Sequence, residues 1–273
     1  MAEMTYAEKR QRCRKCYERW YFVKKIVALY EEGVSWGGCR VIAPADPDKI
    51  PLEYSEIIGI DAIKDGVRGM MVEGVGKFEV QIPGHTHKLS ILAPPQSPSI
   101  VKAEGQLFLW PCIQNDQELE KLVEDIEKVP AAIPEAGPIV DQLMRGMCDC
   151  LGVPLRFLQN NVVADAPIFV KDALMVFRGS VGELRRYIAF HLRERIKPLI
   201  CKALNYEGPI EVAWNEEWLT GGWIEYGPVY QAFRAQGIWL EGLAQGMLES
   251  ARQASEARLI PRAEYKEVVR WFG

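Results

Sequence analysis

Met144 to Asn161 reads MRGMCDCLGVPLRFLQNN: an apolar run at helical spacing, a Gly-Val-Pro break and a second apolar run. Upstream, Gly137-Pro138 opens a helix on which Ile139, Leu143, Met147 and Leu151 share one face. Gly152 accepts the left-handed geometry that closes a helix, and Pro154 disfavours helix in the residue before it. The stretch is therefore a helix-to-helix junction, with Gly152, Val153, Pro154 and Leu155 as its packing residues. Cys148 and Cys150, one residue apart, point about 200° apart around a helix, so one packs and the other does not.

Downstream, Asp172 to Leu204 is the longest periodic segment. Leu174, Phe177, Val181, Leu184, Ile188, Leu192, Ile196 and Leu199 form its apolar stripe, surrounded by Arg178, Arg185, Arg186, Arg193, Arg195, Lys197 and Lys202. Pro198 should kink this helix or end its first part. GPIEVAWN then reads as a strand, PVYQAFRAQGIWLEGLAQGMLESARQAS as helix weakened by glycines, and PRAEYKEVVRWFG as a final short helix. Upstream of the junction, Thr5 to Glu32 reads as one helix ending at Gly33, with Trp20, Val23, Ile26, Val27 and Tyr30 on its apolar face and Lys24, Lys25, Glu31 and Glu32 elsewhere. Trp36 to Trp110 alternates in KFEVQIPG and HKLSILAPP and is rich in Gly, Pro and β-branched residues, which predicts short strands interrupted by a helix near Asp61 to Met71. NDQELEKLVEDIEKV returns to helical spacing, capped at Asn115 or Asp116 and stopped at Pro130.

Bulk composition narrows the function classes. At 273 residues, 48% hydrophobic and 26% charged, the chain can bury a sizeable core in one large or two modest domains. A net charge of −4 does not match the basic surface of a general nucleic-acid binder. Seven cysteines at no disulfide-framework spacing, behind a charged N-terminus without a signal-peptide core, fit a reducing compartment. No run approaches the roughly 18 apolar residues that a membrane span needs. Cys13-Arg-Lys-Cys16 has the spacing of half a zinc or redox motif, but no second pair follows at ribbon spacing. His85 and His87 share a strand face after Pro83-Gly84, as expected of exposed histidines beside a hairpin turn. The turn at Gly74, Gly76 and Lys77 lacks the spacer and the Ser or Thr of a phosphate loop, and no hydrolase, zincin or dinucleotide fingerprint appears.

Taken in order, the elements resemble those of the portal proteins of tailed bacteriophages. MCDCLGVPLRFL is similar to that family's apolar helix, Gly-Val/Ile-Pro and Leu-Leu pattern, and FVKDALMVFRGSVGELRRYIAFHLRERIKPLICKALN to its downstream helix with a late proline. AIKDGVRGMMVEGVGKFEVQIPG resembles the helix and strand pair of the portal wing, and SEARLIPRAEYKEVVRWFG the closing helix of several portals. The resemblance runs from about Tyr17 to the end and is best from Gly137 to Trp214. Only Cys112 to Pro138 stands where portals carry two stem helices and a clip, so either the stem and clip are much reduced, the match is displaced along the chain, or the protein is a relative with another role.

The resemblance implies an α+β, portal-like protomer: an N-terminal helix and strand-rich wing-like module over 1–112, a short helical stem/clip-like region over 113–160, and a helical wing/crown-like region of long kinked helices over 161–273. It further implies a non-catalytic ring, usually of twelve copies, at one capsid vertex of the virion, assembled in the host cytoplasm. Double-stranded DNA would pass through it without sequence-specific binding, and its partners would be terminase, tail adaptor proteins and the major capsid protein. No cofactor, metal or membrane enters this reading. Arg178, Arg185, Arg186, Arg193 and Arg195 are then candidates for intersubunit ion pairs or occasional phosphate contacts in the channel, with a solvated helix face as the alternative for each. Trp214, Trp218, Trp223, Tyr226, Tyr230, Trp239, Trp271 and Phe272 fit an interface or a monomer's core equally. Two other readings stand beside this one: a different head-tail adaptor or capsid-associated protein, and a small metal-binding protein or enzyme using Cys13, Cys16, Cys39, His85 and His87.

Overall fold

A computed structural model describes residues 4–94, 107–109, 137–214 and 222–273; the expected helix over 115–130 and the proline-spaced turn after it lie outside these. Thr5 starts helix α1 (Tyr6–Arg19) with a capping box. Its hydroxyl accepts the Glu8 N–H, and the Glu8 carboxylate accepts the Thr5 N–H. The chain then breaks at Trp20, whose extended backbone separates α1 from α2 (Tyr21–Ser35). The single helix expected from Thr5 to Glu32 is thus two. Cys13, Cys16, Trp20, Val23, Val27, Tyr30 and Val34 keep a helical spacing straight through the break, so the sequence carries no punctuation there. Lys25 and Glu31, read as lying off the apolar face, are also buried, because α2 packs against several helices.

Strand β1 (Cys39–Ile42) and the one-turn helix α3 (Leu52–Ser55) lead to α4 (Ile60–Glu73) and a hairpin of β2 (Val75–Ile82) and β3 (His85–Leu92). The strands pair from Val75 with Leu92 to Ile82 with His85, turning at Pro83-Gly84 as expected. Phe78, Val80 and Ile82 are buried while Lys77, Glu79 and Gln81 face water, the period-two pattern of a sheet with one packed face. Helix α4 packs against that hairpin and against α2.

The second half runs through α5 (Gly137–Leu151), α6 (Leu155–Gln159), β4 (Val162–Val163), α7 (Pro167–Leu204), β5 (Glu211–Trp214), α8 (Gly222–Ala235), β6 (Trp239–Leu240), α9 (Glu241–Glu256) and α10 (Arg262–Phe272). Helix α7 spans 38 residues, about 57 Å at 1.5 Å per residue. It opens at Pro167, a residue suited to the first helical turn, and Pro198 lies inside it without ending it. The predicted stripe is buried from Leu174 to Ile196; its last member is Ile200, with Leu199 only half-buried. The long C-terminal helix expected from Pro228 onward is instead two helices, because Gly237 adopts φ +71° and the Ile238 N–H turns back to the Phe233 carbonyl.

Two sheet contacts tie distant parts of this α+β chain together. Strand β1 pairs antiparallel with β5, and β4 pairs parallel with β6. Helix α2 packs against α7 and α8 as well as α4. Gly33, read as a helix stop, sits within α2, where an added Cβ would lie 3.3 Å from Val181 and 3.7 Å from Ala232. It is a point of close approach between three helices. One continuous core therefore draws on both the 1–112 and the 161–273 segments. Among the described residues no helix is long and apolar enough to cross a membrane.

Candidate functional site

The junction that decides the fold closes as its sequence demands. Gly152 has φ +66°, its N–H points to the Asp149 carbonyl, and the Val153 N–H donates to the Cys148 carbonyl at 2.9 Å, a paired closure that satisfies two terminal carbonyls of α5. Val176 of α7 sits where a side chain on Gly152 would project, so glycine is required twice over. Val153 is buried, Pro154 begins α6, and Leu155 is half-buried against the core.

Three polar side chains complete the helix ends around this junction. The Tyr30 hydroxyl donates to the Leu151 carbonyl at 2.7 Å, and the Lys25 ammonium lies 3.5 Å from the Leu158 carbonyl. Arg185 donates to the carbonyls of Val34 and Trp36, and its guanidinium lies over the Trp214 ring, 4.7 Å from the centroid. Cations at helix C-termini answer both the unpaired carbonyls and the helix dipole. Burial holds the Tyr30 phenol well above its ordinary range and lowers the affinity of the Lys25 amine for its proton. An aromatic chain runs alongside: Tyr30 to Phe177 (5.0 Å), Phe177 to Phe233 (5.7 Å) and Phe233 to Phe157 (6.0 Å), each edge to face. The sequence placed Tyr30 on the apolar face of its helix and Lys25 off that face but did not show either as a cap, since nothing local says which carbonyl a distant side chain will reach.

The structure divides the arginine candidates. Arg185 is turned inward and clamps the end of α2. Arg178 lies over the Tyr226 ring at 5.0 Å. Arg186 and Arg195 are exposed, and Arg193 stacks on Phe190 (5.0 Å) and pairs with Glu194 at 2.9 Å. Arg186, Phe190, Arg193 and Lys197 follow one another at spacings of four, three and four residues, so they form one row along α7. His191, stacked on Tyr187 (4.4 Å), loses proton affinity through burial and the nearby Arg195.

Cys13 and Cys16 are fully buried on the core side of α1, and burial pushes both thiols up, Cys16 to about 12. Cys39 is buried on β1. Cys148 is buried and Cys150 exposed, as their spacing required. His85 is exposed and His87 partly so, with ring centroids 6.4 Å apart at the hairpin tip. Among the described residues, no three His, Cys, Asp or Glu side chains converge on a common point. Of the C-terminal aromatics, Tyr226, Tyr230 and Phe272 are buried and Trp239 is exposed, while the Trp218 and Trp223 side chains lie outside the described residues. No family model, curated protein or solved structure matches the chain.

Proposed function

We propose that this chain is a ring-forming portal or portal-like head-to-tail structural protein. One observation carries the reading: a helix closed at Gly152-Val153-Pro154 leads into the 38-residue α7, and this pair is built onto an N-terminal helix and a helix-hairpin module, in the order the portal resemblance implies. The residues at the junction are occupied with capping and packing, a role suited to holding a rigid subunit rather than to turning over a substrate.

In this reading the protein makes the channel at one capsid vertex, and terminase, tail adaptors and the major capsid protein dock on the ring. Twelve copies at −4 each carry about −48, and a predominantly acidic ring suits DNA passage, because firm binding needs phosphate neutralisation by Lys and Arg. Native mass spectrometry of the purified chain, with negative-stain imaging, tests the proposal. A closed ring of about twelve with an axial hole is the expected result. A stable monomer or dimer at micromolar concentration overturns it. A ring of different number that does not retain terminase moves the assignment to an adaptor.

A further inference from the structure

Two exposed patches of opposite charge, each with an apolar centre, lie on this one chain. The first is the row on α7: Phe190, 51% exposed, is flanked by Arg186, Arg193 and Lys197. Arg186 and Lys197 form no ion pair among the described residues. The second runs from α3 into the first turn of α4. There Leu52 and Ile60, 65% and 47% exposed, stand among Glu53, Glu56 and Asp61. Glu56 pairs with Arg40 at 3.0 Å, whereas Glu53 and Asp61 have no ion-pair partner among the described residues.

We propose that the α7 row of one copy docks on the Leu52–Asp61 edge of a second copy. The inference rests on the assembly reading above and names its contact. Like charge keeps either patch from meeting its own equivalent, while the two meet each other with carboxylates against cations and Leu52 and Ile60 against Phe190. Toward the N-terminus of α7, Met175 and Ile168, 56% and 63% exposed, lie on the same side as this row. They add apolar surface beside the ion pairs on that side of the helix. A contact between two different patches leaves one of each unused at the ends of a pair, so it propagates and closes as a ring when the rotation allows.

The test is a charge swap in the full chain, read by native mass spectrometry with circular dichroism as the folding control. Glu53→Lys with Asp61→Lys, and separately Arg186→Glu with Lys197→Glu, should leave the spectrum unchanged and raise the concentration for half-assembly about tenfold or more. Combining all four substitutions should restore assembly to within a few-fold of the unmodified chain. Assembly that ignores both reversals, or a combined variant that stays dispersed, overturns the docking while leaving the ring reading in place. Arrest at two copies with the swap pattern intact keeps the docking and overturns the ring. An unmodified chain that never assembles removes both.

Discussion

Tyr30 shows how one hydroxyl secures a helix end 121 residues away. It lies on the buried face of α2, where its hydroxyl donates to the Leu151 carbonyl at the end of α5, with the Ser180 side chain also within hydrogen-bond reach. Tyr30→Phe keeps the ring against Phe177 and removes the donor, leaving a buried carbonyl unsatisfied. The expected loss is about 1–2 kcal/mol of unfolding free energy with an unchanged denaturant slope, measured by urea titration. A null result would mean that water reaches Leu151. At this scale the sequence was partly legible. It gave the residue types on α7, but not that Arg185, one position off the apolar stripe between Leu184 and Ile188, turns toward α2 while Arg186 turns to solvent.

Among elements, the α5–α6 junction was readable because glycine and proline act locally: Gly152 fixes the stop whatever lies around it. The break at Trp20 was not readable, because it comes from tertiary packing and leaves the apolar spacing intact. Val153→Asp tests the junction directly. It places a carboxylate at a site 2% exposed and should cost on the order of several kcal/mol, enough to prevent folding or assembly. Leu155→Asp, at a half-buried position, should be milder in the same direction. Soluble expression and melting temperature rank the two. Equal tolerance of both would show that this turn is not a packed element.

Across the whole molecule, the mixture of helices with short strands was legible in periodicity, but the breaks at Trp20 and Gly237 and the pairing of β1 with β5 were not. Cys39 meets Trp214 across more than half the chain, and four-residue strands carry no signal of their partner. Helix α2 packs against α7 and α8, so the N-terminal helices share core contacts with the C-terminal ones. A fragment of residues 1–112 would leave β1 unpaired and the Gly33 face of α2 in water. It should lack a cooperative thermal transition, whereas the full chain should melt in a single one by circular dichroism. A fragment that melts cooperatively would make the N-terminal module autonomous.

Arg185 stands midway along α7, where its guanidinium is fastened to the last carbonyls of α2. For α7 to slip one turn along its axis, about 5.4 Å, both of those bonds must break and the Trp214 ring must lose its cation. The long helix is therefore a strut with its register pinned: force arriving at either end is handed to α2 and its neighbours instead of being absorbed by sliding.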